Sequence, residues 1–320
     1  MRFTRLYIEK KVLDNEITAR VIDRSKIEDI ILIDHYKDVF NRPSQDIEAQ
    51  VRSGRSLILA RNAGNLIYEG GPLCQDFGYG KFYYSTSIMG CVFDCDYCFL
   101  KGMYKTSSCV IFVNFEDYSE QVRKKLKEGP MYLCVSYESD LTSFDNLTGL
   151  ASRWEDLACS EKDLTIELRT KAAPSDFRSS PNIIYAFTLS PQPVIDRFEH
   201  GTAPLLYRIS SVQKAIEKGA TVRLCFDPLI CTKDCIRYYN EMMDTVLHEI
   251  DLTKVRDIGI GTFRIPADYI KDMRKAKPPS AAVMYPFENI NGVMRYPAEV
   301  EKKLLSTVRD RLQGGKIYEI

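Results

Sequence analysis

The sequence predicts an α/β protein organised around a parallel β-sheet. Three observations carry that expectation: strand-like and helix-like segments alternate from about residue 80 onward, the chain is 320 residues long, and 45% of it is hydrophobic. Such a chain builds one large domain with appendages, or two ordinary ones. It opens with Leu6-Tyr7-Ile8-Glu9-Lys10-Lys11-Val12, which reads as a strand, and a charged stretch over 27–39 that reads as a helix. Arg42-Pro43-Ser44 ends that element. Strands are then expected over 82–88, 110–114, 131–137, 164–170, 183–189 and 221–227, with helices over 116–128, 147–159 and 203–218 among them. A helix over 233–250 and a strand over 256–262 finish the series. About six βα units are too few to close an eight-stranded barrel. After Pro266 the pattern loosens into a lysine-rich run, a hairpin around Asn291-Gly292 and a final helix over 298–312.

Composition narrows the setting. With 44 basic and 44 acidic side chains, the net charge is zero, so any nucleic-acid footprint has to be local. The ten cysteines are scattered through a chain too long to need disulfide staples, and no apolar signal segment follows Met1-Arg2-Phe3-Thr4-Arg5, so a reducing cytoplasm is expected. No apolar run approaches the roughly 18 residues that a membrane helix needs, and no membrane partner is expected.

The most informative stretch is Gly90-Cys91-Val92-Phe93-Asp94-Cys95-Asp96-Tyr97-Cys98-Phe99. Cys91, Cys95 and Cys98 supply three thiolates from one short loop and no fourth. A closed structural zinc site takes four protein ligands and an electron-transfer iron-sulfur cluster usually four cysteines, so three leave one metal position open for a small molecule. Reduced loop cysteines, or a three-ligand zinc site, are the plainer alternatives. The spacing resembles that of the radical S-adenosylmethionine enzymes. That resemblance implies a [4Fe-4S] cluster whose fourth iron chelates S-adenosylmethionine, and a partial (β/α)6 TIM-type barrel.

Functional groups in parallel α/β barrels sit at the carboxyl ends of strands. There this chain places Tyr137-Glu138-Ser139-Asp140, Arg169-Thr170-Lys171, Thr188 with Ser190, and Asp227-Pro228. Singly these read as helix caps, a solvated tip or a turn; together they form a ring in which Asp227 joins the candidate cofactor contacts. From Leu57 to Tyr296 the chain resembles the spore photoproduct lyases. The likeness rests on the cysteine loop with Tyr97 before the third cysteine, Ser139-Asp140 followed by Phe144-Asp145-Asn146-Leu147-Thr148, and Thr170-Lys171. It continues in Val194-Ile195-Asp196-Arg197-Phe198-Glu199-His200-Gly201-Thr202 and Met294-Arg295-Tyr296. It implies three segments: an N-terminal α/β extension (1–70), the radical S-adenosylmethionine partial barrel (71–265), and a C-terminal hairpin and helix contacting substrate (266–320). It further implies repair of a methylene-bridged thymine dimer in damaged DNA, in a spore or germinating cell, with an external electron donor such as a flavodoxin or ferredoxin. By position, Tyr97, Ser139, Lys171 and Thr188 are expected at the cofactor, and Arg295 and Tyr296 at the lesion.

Breaking the dimer leaves a thymine radical that needs a hydrogen atom, and a thiol is a suitable donor. The position where better-known members carry that cysteine is Tyr137 here. Strand alternation turns Cys134 away if Tyr137 points inward, and puts Cys225 deeper than Asp227. Cys74, in Gly70-Gly71-Pro72-Leu73-Cys74-Gln75, is therefore the expected donor; an inert loop cysteine is the alternative. The resemblance also implies a tyrosine relay, matched by Tyr97, whereas Phe99 stands where a second relay tyrosine is expected and Tyr137 is the candidate substitute.

A lesion inside a duplex has to be extruded and its phosphates held. The run Lys271 to Lys277 with Arg295-Tyr296 is the candidate footprint, or a solvated loop. Cys231 and Cys235 would share a helical face and are expected to be idle. His35, His200 and His248 are isolated. Two other functions stay open: a radical S-adenosylmethionine enzyme of this family with another substrate, and a non-catalytic iron-sulfur or zinc protein that binds nucleic acid.

Overall fold

The computed structural model describes residues 3–71, 74–276, 278–312 and 315–320. The chain is a mixed α/β protein that divides into two compact units. The first comprises 1–70, 78–92 and 104–168, and the second 71–77, 93–103 and 169–320.

In the first unit a five-stranded sheet runs in the order Ile30–Ile33, Phe3–Glu9, Arg55–Ala60, Cys109–Phe112, Ile88–Met89. The first four strands are parallel, with Leu6 opposite Ile30 and Leu57, and Leu57 opposite Cys109; Ile88–Met89 joins antiparallel. Leu57 to Ala60 and Cys109 to Ile111 are fully buried, as expected for parallel strands covered on both faces. The segment expected as a helix over 27–39 is instead the strand Ile30–Ile33 followed by a short helix, Lys37–Phe40. The uninterrupted Ile30-Ile31-Leu32-Ile33 run favours a strand. The helix lies earlier, at Glu16–Ser25, where the Asn15 side chain accepts from the Ile17 amide at 2.8 Å.

The same unit holds the strand Met131–Cys134 and the strand Leu164–Thr170 as far as Leu168, paired in parallel from Leu164 opposite Met131 to Glu167 opposite Cys134. Tyr83–Tyr84 lies parallel to Met131–Cys134 and pairs antiparallel with Tyr68–Glu69. The single helix expected over 147–159 is two, Leu141–Thr148 and Leu150–Ser160, broken at Gly149 with φ +72°. That left-handed conformation ends a helix and strongly favours glycine. The second of these helices buries Trp154 against the edges of Phe115 and Tyr118.

In the second unit, Ile183–Thr188, Thr221–Leu229, Asp257–Thr262 and Ile317–Glu319 are consecutive parallel neighbours. Helices Leu205–Glu217 and Cys235–Glu249 match expectation to within about two residues, whereas the last strand was not anticipated. The hairpin around Asn291-Gly292 is present. Both turn residues have positive φ, 52° and 83°, and join Glu288–Ile290 to Val293–Arg295; Arg264–Pro266 pairs on the other side. Lys277, in the lysine-rich run, lies outside the described residues. Among the described residues no helix is long and apolar enough to cross a membrane.

Candidate functional site

All ten cysteines are uncrosslinked. Within the cysteine loop, the carbonyl of Cys91 accepts from Arg55 Nη1 at 2.7 Å. Asp94–Cys95 pairs antiparallel with Glu199–His200, and the Asp96 amide donates to the Phe198 carbonyl at 2.8 Å. The Cys98 amide turns back to the Cys95 carbonyl at 3.1 Å, and the short helix Leu100–Met103 follows. Gly102 is required there, because a Cβ on it would lie 2.5 Å from Tyr269 Cβ and 2.6 Å from the Tyr269 carbonyl oxygen. Asp96 is held by the Ser280 hydroxyl at 2.7 Å and lies 3.2 Å from His200 Nε2, and Lys101 pairs with Asp94 at 2.9 Å. Burial pushes the Cys95 thiol up to about 12 and raises that of Cys98, while Lys171 counteracts in both.

Directly behind the loop, in the second unit, lies a buried polar network. The Tyr97 hydroxyl donates to Glu199 and accepts from Lys171 Nζ at 2.8 Å, and that ammonium stands 4.6 Å from the Tyr97 ring centroid. Glu199 also accepts from the Ser190 hydroxyl at 2.8 Å and from Arg208 Nη2 at 2.5 Å. Arg208 also donates to the Thr188 carbonyl at 2.9 Å, the Ala203 carbonyl at 2.7 Å and the Thr202 hydroxyl at 2.7 Å. Burial works to raise the Glu199 carboxyl, but Lys171 and Arg208 overcome it and hold it down to about 2. The Tyr97 phenol is raised well above its ordinary value by burial and by Glu199. The structure thus joins Tyr97, Lys171 and the Thr188 backbone around one ionised carboxylate.

Sequence reasoning missed the hub of this network. Glu199 enters the sequence reading only as part of the run Val194 to Thr202, and Arg208 does not enter it. A signal existed: Leu205, Arg208, Ile209 and Val212 are spaced as one helical face, and all four are buried, so an arginine among them needs a buried acid.

The other expected residues are placed as follows. Ser139, in the first unit, is buried, and its hydroxyl is without a hydrogen-bond partner. Its neighbour Asp140 caps the helix Leu141–Thr148 by accepting from the Ser143 amide at 3.1 Å. Tyr137 is half-buried and stacks on Tyr84, centroids 4.4 Å apart, with Phe82 at 6.0 Å. In the second unit Asp227 is ion-paired with Arg264 at 3.0 Å and Arg169 at 3.5 Å. Cys74 is half-buried, its amide donates to the Gly71 carbonyl at 2.9 Å, and the adjacent Gln75 side chain donates to the Glu319 carbonyl at 2.9 Å. Arg295 is half-buried, its Nε fully enclosed without a hydrogen-bond partner. Tyr296 is 1% exposed, packed among Phe263, Tyr285 and Phe287, and its oxygen accepts from the Cys231 amide at 2.9 Å.

The residues present fit an iron-sulfur cluster and S-adenosylmethionine. Among the described residues, no three His, Cys, Asp or Glu side chains are already drawn together as a metal would hold them. The fit therefore rests on the donor set: three uncrosslinked thiols at ligand spacing and an enclosed serine hydroxyl awaiting a polar partner.

The fold defines the class as a mixed α/β protein of the partial TIM-barrel kind. A family profile for spore photoproduct lyase matches residues 81–275, more than half of the chain, and the chain belongs to that family. Solved structures agree in fold. A spore photoproduct lyase complexed with dinucleoside spore photoproduct superposes with a TM-score of 0.84 at 16% identity, covering 99% of each chain. A double mutant of spore photoproduct lyase with bound AdoMet and the same dinucleoside gives 0.82 at 17%, covering 100% of each. A single mutant with the dinucleoside gives 0.84 at 18%, again covering 100% of each. No curated protein sequence matches the chain significantly.

Proposed function

We propose that this chain is a radical S-adenosylmethionine lyase that repairs the methylene-bridged thymine dimer in DNA. The observation that carries the reading is the triad of uncrosslinked cysteines Cys91, Cys95 and Cys98, lying inside the stretch that matches the family. Structures of the same fold hold AdoMet and dinucleoside spore photoproduct, which supports the choice of cofactor and substrate.

In this reading Cys91, Cys95 and Cys98 hold the [4Fe-4S] cluster, and Ser139, Lys171 and Thr188 hold S-adenosylmethionine, with Asp227 at the same strand ends. When bound and reduced by a flavodoxin or ferredoxin, the pair would supply the radical chemistry that removes hydrogen from C6 of the lesion and lets the bridging bond break. The protein's own work is to position, exclude water and return a hydrogen atom. Lys171, anchored to Tyr97 and Glu199, presents a fixed positive charge for a carboxylate. Cys74 would give its thiol hydrogen to the thymine radical, and the thiyl radical would be refilled by the Tyr97 O–H hydrogen, which is replaced in turn from the methyl group of 5'-deoxyadenosine, with Tyr137 replacing the second relay tyrosine. Arg295 holds the lesion's backbone, with Tyr296 packed behind it. The three segments 1–70, 71–265 and 266–320 divide as extension, barrel and substrate segment, and the setting is the cytoplasm of a spore or germinating cell.

Anaerobic reconstitution followed by incubation with the dinucleoside lesion, whose halves are joined only through the methylene bridge, tests the proposal. About four irons per chain, reductive cleavage of S-adenosylmethionine and release of two thymidines are expected. An intact lesion beside cleaved cofactor would move the reading to the same chemistry on another substrate, which Tyr137 and Phe99 favour. A fully protein-ligated metal without cofactor cleavage would leave a nucleic-acid-binding metalloprotein.

A further inference from the structure

Cys231 and Cys235 play no part in the proposed chemistry, yet the structure draws them together. Cys235 is the first residue of the helix Cys235–Glu249, and Cys231 lies in the segment before it. Their sulfurs stand 3.9 Å apart, in hydrogen-bonding contact. Cys231 is half-buried and Cys235 is buried. A disulfide needs about 2.05 Å between sulfurs, so closure requires the two sulfurs to approach by roughly 2 Å more. The surroundings favour a thiolate. The Cys231 thiol, hydrogen-bonded to Cys235, holds Cys235 below the ordinary thiol range against the effect of burial, with help from backbone groups of Thr232 and Ile236, while Cys231 is raised. The fifteen-residue helix adds its positive end.

We propose that Cys231 and Cys235 are a redox-active pair, a site of reversible modification that closes to an intrachain disulfide when a low-molecular-weight disulfide supplies the oxidant. The steps balance by exchange. The thiolate of the pair attacks one sulfur of the small disulfide, forming a mixed disulfide and expelling one thiolate. The second cysteine then loses its proton and attacks the mixed disulfide, expelling the other. Two protein thiols are oxidised, one small disulfide is reduced to two thiols, and the two protons leave with them. Closure ties the segment that follows strand Thr221–Leu229 to the helix. Because the Cys231 amide holds the Tyr296 oxygen, it also fixes the residue next to Arg295. The inference does not depend on the lyase reading.

The test uses full-length, cluster-loaded protein equilibrated anaerobically in buffers of graded reduced to oxidised glutathione, then denatured and alkylated at once with N-ethylmaleimide. Trypsin cuts after Arg223, Lys233 and Arg237. The disulfide therefore appears as Leu224–Lys233 joined to Asp234–Arg237, and fragment ions separate Cys231 from the fully buried Cys225. The linked peptide should rise with oxidised glutathione and vanish on return to reduced glutathione. In Cys235→Ser, Cys231 should instead stop at a single glutathione adduct. Two results in the wild-type chain would overturn the proposal. One is both cysteines alkylated at every ratio that fully glutathionylates the exposed Cys159; the other is a Cys231 glutathione adduct that never closes.

Discussion

Arg208 and Glu199 form an ion pair in which neither side chain is exposed to solvent, with Nη2 and Oε2 2.5 Å apart. The pair sits behind the cysteine loop and sets the charge that Lys171 and Tyr97 meet. A buried pair of this kind adds little over an apolar substitute, and with Arg208 gone Glu199 keeps Lys171 at 3.7 Å as its countercharge but loses its charged hydrogen-bond donor. Arg208→Met should therefore cost about 1–3 kcal/mol, read by chemical denaturation. A loss below about 1 kcal/mol would show that Glu199 does not depend on Arg208.

The Ser139 hydroxyl separates stability from binding. Because it is enclosed without a partner, Ser139→Ala should leave the ligand-free protein equally stable or slightly more so. Losing one hydrogen bond to bound S-adenosylmethionine should weaken affinity by roughly 1–2 kcal/mol, or about 5- to 30-fold. Calorimetric titration beside thermal melting reads both; unchanged affinity would remove Ser139 from the cofactor site.

Glu138, next to Ser139, is raised above the ordinary carboxylate range by burial, although the Tyr104 hydroxyl donates to it. The folded state then binds a proton more readily than the unfolded state. Stability should fall as pH rises from the unfolded value of 4.5 through the folded one. Denaturation of wild type and Glu138→Gln across that window should show the variant with the flatter profile. Parallel profiles would contradict the assignment.

Gly102 lets the short helix Leu100–Met103 touch Tyr269. Gly102→Ala should destabilise by about 1–3 kcal/mol through overpacking and, because the helix directly follows Cys98, lower the iron retained after reconstitution. Full iron content at wild-type stability would show that the contact yields.

Cys74→Ala tests the hydrogen donor. The variant should still consume the lesion but release an aberrant thymine adduct in place of two thymidines, as chromatography of the products would show. Normal product at full yield would transfer the donor role to another group.

The sequence by itself determined the family, the thiol triad and most of the alternation of strands and helices, because ligand spacing and residue periodicity are local properties that need no partner to be read. Locally conflicting signals gave the misreadings. Residues 27–39 mix charge with an Ile-rich run, and only pairing with Phe3–Glu9 made Ile30–Ile33 a strand. Likewise, the strand at Cys109–Phe112 found its neighbours at Arg55–Ala60 and Ile88–Met89, and a fully buried strand carries no alternation that names its partners. Tertiary structure alone decided that Glu199, Arg208, Lys171 and Tyr97 meet, and that Cys231 and Cys235 face each other. An ion pair or a thiol pair is a matter of distance and dielectric, and those come into being only when segments far apart or differently coiled are packed together.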